Sequence, residues 1–271
     1  MFYVIHVVLG LYNNRVFLQH GITKDDADWL YYNKCKFRYF ICGAKREYEF
    51  IKNKFGYPEG NVIYTGFARF DNLYNNNVND KQILVMPTWR NWLGRETNAL
   101  GEKIVFKDTD YFKNWESFLN DGKFIDFIEK ENITILFYPH INMQKYIDEF
   151  NFKSKNIIVC KTDVDIQKIL KESSIMITDY SSVYMDFAYM KKPVIYYQFD
   201  YEEYRKKQYK DGYYDYNIDG FGPVATNSDE LLNVFVNNYN NGLDEKYYLR
   251  MNSFFEIRDQ NNCKRIYDYL K

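Results

Sequence analysis

The sequence predicts a doubly wound α/β fold, a parallel sheet with helices on both faces, on three observations. Six short runs follow residue 80: "QILVM" (82–86), "ITILFY" (133–138), "NIIVC" (156–160), "SIMIT" (174–178), "PVIYY" (193–197) and "GPVAT" (222–226). They are largely apolar without polar alternation, as strands buried on both faces are. Amphipathic stretches separate them, which supplies the crossovers a parallel sheet needs. Polar residues cluster just beyond several runs, where open α/β sheets place their ligands.

Each element follows from its own stretch. Ahead of residue 72, "YVIHVVL" (3–9), "RVFLQ" (15–19), "RYFIC" (38–42) and "NVIYTG" (61–66) read as short strands. Helices are expected between them over "KDDADWLYYN" (24–33) and "AKREYEFIKNKFG" (44–56). The polar, Asn-rich "NLYNNNVND" (72–80) breaks the pattern and reads as a connection between units. Later helices are expected at "YFKNWESFLNDGKFIDFIEKE" (111–131), "VDIQKILKES" (164–173) and "SVYMDFAYMKK" (182–192). The division expected is an α/β part over 1–78, a second, Rossmann-like unit over 79–255 and a C-terminal helix over 256–271. Seventy-odd residues before the break are few for a full α/β unit. The chain is therefore expected to be a C-terminal fragment of a larger protein or a trimmed relative of one.

Composition narrows the function. With 46% hydrophobic residues the chain is globular. A formal net charge of −1 argues against a dedicated nucleic-acid binder. The basic "YRKKQYK" (204–210) reads as a solvated face, with contact to an anionic polymer or a membrane surface as the alternative. Four cysteines, Cys35, Cys42, Cys160 and Cys263, have neither CxxC nor zinc spacing, and suit free thiols in a reducing cytoplasm. The N-terminal apolar run falls far short of the ~20 residues that span a bilayer, so the expectation is a soluble or peripheral protein.

The strand ends hold the chemistry. Of three histidines, His6 sits inside an apolar run and reads as a core side chain. His20 closes "RVFLQHGITKDD" beside Gly21, and His140 closes "ITILFYPHINM". Two of three at strand ends make them the candidate proton-transfer pair, since imidazole titrates near neutral pH. Gly66 and Arg69 follow another strand, as do Thr88 and Arg90. An arginine fork matches phosphate oxygens, although pairing with a nearby carboxylate explains each one singly. "ITDYSSVYMD" (177–186) passes abruptly from strand to helix through Thr178, Asp179, Ser181 and Ser182. This is either plain helix capping or a seat for a phosphate. "TDVD" (162–165) mimics a DxD metal motif but reads as a helix cap on Asp163 or Asp165, and no metal or cofactor is expected. There is no GxGxxG and no Walker-type loop.

Together, "FLQHGITKDD" (17–26), "FGYPEGNVIYTGFARFDNL" (55–73), "ILVMPTWRNW" (83–92), "FYPHINM" (137–143), "ITDYSSVYMDFAYMKKPVIYYQFDYEEY" (177–204) and "GFGPVATNSDELL" (220–232) resemble the CDP-glycerol:poly(glycerophosphate) glycerophosphotransferase family of teichoic-acid and capsule polymerases. The stretches stand in the family's order from about Phe17 onward. The resemblance implies a GT-B arrangement, two Rossmann-like domains across a cleft, with the nucleotide held mainly by the C-terminal one. It implies transfer of an alditol phosphate from a CDP-activated donor to a polyol-phosphate or polysaccharide acceptor, lipid-linked at the cytoplasmic face of a membrane. By the resemblance His20 is the base toward the acceptor hydroxyl. His140 stabilises or protonates the donor phosphates, and Ser181 and Ser182 hold them. Three departures leave the identity of donor and acceptor open: Gly21-Ile22-Thr23 where many members have Gly-Thr-Pro, Ala68 where proline is common, and Ile141 where proline is frequent. Two other readings stand beside this one, a GT-B glycosyltransferase using a nucleotide sugar and a non-catalytic nucleotide- or polymer-binding subunit.

Overall fold

The computed structural model describes residues 15–74, 77–94, 101 and 104–271. The strand expected at 3–9, with His6, lies outside these residues, as do positions 75–76 of the expected break. Three short parallel strands form a first sheet in the order β1 (Val16–Phe17), β2 (Tyr39–Cys42), β3 (Val62–Tyr64). Helix α1 (Tyr32–Cys35) precedes β2, and α2 (Lys45–Lys54) crosses from β2 to β3. The second sheet has six parallel strands: β4 (Asn79–Met86), β5 (Thr134–Phe137), β6 (Ile157–Val159), β7 (Ser173–Thr178), β8 (Val194–Tyr197) and β9 (Val224–Ala225). Its crossovers include α3 (Asp110–Leu119), α4 (Gly122–Lys130), α5 (Ile166–Glu172), α6 (Tyr184–Tyr189) and α7 (Tyr201–Lys207). The chain closes with α8 (Ser228–Asn241), α9 (Glu245–Phe254) and α10 (Asn262–Leu270).

The spatial order β6-β5-β4-β7-β8-β9 reverses direction at β4, which places the topological switch point between the ends of β4 and β7. Buried side chains alternate between the faces of this sheet. Ile83, Val85, Ile135, Phe137, Ile175 and Ile177 pack on one side with Trp115, Phe124 and Phe235. Leu84, Met86, Leu136, Met176, Val194 and Tyr196 pack on the other. That second cluster continues without a break into Val16, Ile41, Ile63, Phe67 and Phe70 of the small unit. One apolar core therefore joins both sheets. Helix α10 returns to the small unit, where Asp71 accepts hydrogen bonds from Asn262 N at 2.9 Å and Cys263 N at 2.8 Å.

Two expected helices differ from what forms. Over 24–33 there is only a 3-10 turn at Asp28–Leu30 followed by the single turn of α1. The backbone of 24–26 pairs instead with the segment after α7: Asp26 N donates to Lys210 O at 3.1 Å and Tyr213 N to Lys24 O at 3.2 Å. Those groups are then unavailable for a helical ladder. The expected helix over 111–131 is two helices, because Asp121 starts a new one by accepting Phe124 N at 3.0 Å. In "TDVD", Asp165 caps α5, accepting Gln167 N at 3.0 Å and Lys168 N at 3.2 Å. Among the described residues no helix is long and apolar enough to cross a membrane.

Candidate active site

The carboxyl ends of β1, β5 and β7 converge. Beyond β4 and β5 the chains run side by side: Tyr138 N donates to Val85 O at 2.8 Å and His140 N to Pro87 O at 3.1 Å. This pairing carries His140 past the sheet toward the switch point. Its ring lies 5.9 Å from that of Trp89, nearly parallel at 24°, and its Nδ1 accepts the N–H of Asn142 at 3.2 Å. An imidazole that accepts at Nδ1 carries its proton on Nε2, so Nε2–H is the free donor. Burial first, and the charge of His20 second, push the His140 pKa down to about 4. At neutral pH His140 is therefore an uncharged hydrogen-bond donor.

His20 lies on the exposed turn after β1, near enough for its charge to act on the His140 ring. The turn touches the strand-to-helix junction directly. A Cβ on Gly21 would lie 2.3 Å from Ser182 Oγ and 2.9 Å from Ser182 Cβ, so only glycine permits this approach. Gly21→Ala is expected to lower melting temperature and turnover together, because relief requires moving either the His20 turn or Ser182. Overpacking on this scale costs about 1–3 kcal/mol. Unchanged values in calorimetric melting and a donor-consumption assay would show that the two loops do not need this contact.

The junction itself is not a conventional cap. The N-cap position of α6 is Val183, with no side-chain bond to the helix. Ser181 Oγ accepts Val183 N at 3.3 Å in a local turn, and both serines remain half-buried at the cleft.

The other residues expected to hold the donor are engaged elsewhere. Arg90 is completely buried. Its fork meets Asp200, Nε to Oδ2 at 2.7 Å and Nη2 to Oδ1 at 3.0 Å, while Nη1 donates to Thr88 O at 2.8 Å and Nη2 lies 2.9 Å from Asp179 Oδ2. Asp179 in turn accepts Thr88 N at 2.8 Å and Tyr180 N at 2.7 Å. Thr178 Oγ1 donates to Met86 O at 2.7 Å. The Thr88 backbone and the side chains of Arg90, Thr178 and Asp179 thus lock the ends of β4 and β7 together. Burial is the largest influence on the Asp179 carboxyl and pushes it up, with Arg90 pulling against it. Arg69 makes a forked pair with Asp186 of α6, Nε to Oδ2 at 2.7 Å and Nη2 to Oδ1 at 2.6 Å, which braces the two units. Gly66 has φ +78°, and a Cβ there would meet Asn262 Oδ1 of α10 at 1.9 Å. It serves the seating of α10. Of the residues expected at the site, Gly66, Arg69, Thr88, Arg90, Thr178 and Asp179 make contacts within the protein, and His20, His140, Gly21, Ser181 and Ser182 stand at the ends of β1, β5 and β7.

Other contributors carry no sequence signal of their own. Lys24 is buried and donates to Asp25 at 2.6 Å, and Asp25 also accepts Arg205 Nη1 at 2.5 Å, so that one carboxylate ties the His20 segment to α7. Glu47, in the first turn of α2, is fully buried, and burial raises its pKa to about 7 against the hydrogen bonds it accepts. On an isolated helix it reads as one more solvated charge.

Comparison with known proteins bears on this arrangement. The model of a family described as CDP-glycerol:poly(glycerophosphate) glycerophosphotransferase matches residues 11–271. The chain is 38% identical over 264 residues to the minor teichoic acid biosynthesis protein GgaB of Bacillus subtilis (strain 168), covering 94% of this chain and 29% of that protein. It is 25% identical over 258 residues to a teichoic acid poly(glycerol phosphate) polymerase of Bacillus spizizenii, covering 87% of this chain and 59% of the polymerase. It therefore spans less than two thirds of either relative. Among solved structures, the wall teichoic acid polymerase TagF matches with a TM-score of 0.58 at 21% identity, over 87% of this chain and 58% of that one. A TagF variant soaked with CDPG matches at 0.61, with 20% identity, over 87% and 56%. The likeness to TagF is one of fold, and agrees with the GT-B-like pairing of two parallel-sheet units.

Proposed function

The chain belongs to the CDP-glycerol:poly(glycerophosphate) glycerophosphotransferase family, and from that membership we propose that it moves an alditol phosphate, glycerol phosphate, from a CDP-activated donor to a hydroxyl of a cell-wall or capsule polymer, releasing CMP. The observation that supports the reading is the packing of Gly21, next to His20, against Ser182 at the end of β7, with the segment ending in His140 paired to the segment after β4, at the switch point of a Rossmann-ordered sheet. In the proposed reaction the acceptor oxygen attacks the phosphorus bearing glycerol, the bond from that phosphorus to the CMP oxygen breaks, and CMP departs with the electron pair. His20 takes the acceptor proton. His140, which burial and His20 hold neutral in the free protein, donates Nε2–H to a diphosphate oxygen. Ser181 and Ser182 supply hydroxyl donors to the same phosphates. Positioning and charge neutralisation dominate phosphoryl transfer, so a site of this kind suits the chemistry. The acceptor we propose is a lipid-linked polyol phosphate or polysaccharide, met at a membrane face.

Calorimetry tests the donor half. CDP-glycerol is expected to bind in preference to UDP- and GDP-sugars. The Ser181→Ala, Ser182→Ala double variant is expected to bind CDP-glycerol more weakly by about 1.5–3 kcal/mol, the worth of hydrogen bonds to a charged group. Equal affinity in the double variant would return the two serines to a local turn. Preference for a nucleotide sugar would replace the donor assignment with glycosyl transfer.

A further inference from the structure

We propose that Glu47 is the positioning residue for His20, holding the turn after β1 in the one conformation that presents the imidazole to the cleft. The inference rests on the functional reading of His20 given above. Glu47 touches the turn on both sides of that histidine. Its Oε1 accepts Thr23 N at 2.6 Å and Gln19 Nε2 at 3.0 Å, and its Oε2 accepts Gly43 N at 2.6 Å, at the end of β2. Gln19 Nε2 also donates to Ile41 O at 2.6 Å, and Thr23 Oγ1 donates to Gln19 Oε1 at 2.8 Å. The ring of bonds thus closes over residues 19–23, with His20 inside it.

The backbone explains why such a clamp is needed. Gln19 has φ +55°, a left-handed conformation that a residue with a long side chain adopts at a cost and keeps only when its surroundings enforce it. It stands immediately before His20. Released from Glu47, Gln19 relaxes toward negative φ and the direction of the next side chain changes with it. The titratable groups facing Glu47 are the Cys42 thiol from β2 and the Tyr213 phenol from the segment after α7, both of which feel its charge. Its bonded partners are N–H groups, so the carboxylate serves as a multiple acceptor that glutamine reproduces only in part.

A cycle of variants measures this. Glu47→Gln is expected to lower kcat roughly 10²-fold, the scale of an ångström-sized misplacement of a reacting group, with the Kd for CDP-glycerol unchanged by calorimetry. In a His20→Ala background the same change is expected to cost less than about 3-fold, because residues acting as one unit are not additive. A loss as large in that background as in the wild type overturns the proposal and leaves Glu47 a general stabiliser. A Kd that rises in step with the loss of kcat overturns it as well. Should Glu47→Gln fail to fold, Gln19→Gly decides: glycine relaxes the φ constraint and removes the amide, and the same loss of kcat, absent without His20, is expected. Near-normal kcat in Gln19→Gly overturns the proposal. If His20→Ala itself retains wild-type turnover, the functional reading falls first, which keeps the two failures apart.

Discussion

His20→Ala is expected to lower turnover at least ~10²-fold while donor affinity stays close to that of the wild type, since a positioned acid–base group contributes about 10²–10⁴-fold. The residue follows β1 of the small unit, which we assign to the acceptor, whereas the serines that we assign to the phosphates follow β7 of the larger sheet. His140→Ala is expected to lose a similar factor in turnover and some donor affinity too. The two positions differ in what restores them. In the proposed reaction His140 acts as an uncharged donor, because Nδ1 is occupied by Asn142 N and the ring's pKa is pushed down to about 4. His140→Gln, which retains an N–H donor, should therefore recover part of the activity, and the shape of the pH profile between pH 5 and 8 should match that of the wild type. A donor-consumption assay with CDP-glycerol over that range checks both. An acid limb that moves on replacing His140 would mean that the ring does shuttle a proton. Normal turnover in both alanine variants, with normal melting, would remove the catalytic assignment altogether.

Arg90→Met is expected to lower stability by about 3–5 kcal/mol, the usual cost of breaking a buried ion pair by removing one partner. Two carboxylates, Asp179 and Asp200, would be left buried beside an apolar side chain. The site offers little relief, because aromatic rings enclose the guanidinium: Tyr180 at 5.0 Å, Tyr204 at 5.2 Å and Tyr111 at 5.3 Å from its carbon. For a chain of this size the melting temperature should fall by roughly 10 °C. A phosphate-binding arginine would behave in the opposite way, with reduced donor affinity and an unchanged melting temperature. Differential scanning calorimetry and nucleotide titration on the same variant separate the two, and the second pattern would restore Arg90 to the donor site.

The apolar runs at 82–86, 133–138 and 174–178 are enough to specify parallel strands, because a strand covered on both faces can tolerate almost no polar residue. Polar residues just beyond such runs break the pattern at the strand ends, which is why His140, Ser181 and Ser182, and His20 after the run at 15–19, stand out in the sequence. Hydrogen-bond partners are another matter. Arg69, Arg90 and Asp179 carry the residue types of a phosphate site, yet their partners lie 117, 110 and 91 positions away along the chain, in Asp186, Asp200 and Thr88. An arginine's fork suits a carboxylate as well as a phosphate, and only the fold decides which of them stands in front of it. The burial of Glu47 is equally invisible from its helix, because it arises where the turn after β1 closes over α2. The protonation of His140 follows from its burial and from a histidine 120 residues earlier. Local pattern determined the strands and the edge to which we assign the chemistry, since both depend on neighbours in sequence. Tertiary structure alone decided which charges face the cleft and which are neutralised beneath it, since a buried charge answers to whatever partner the folded chain brings within reach.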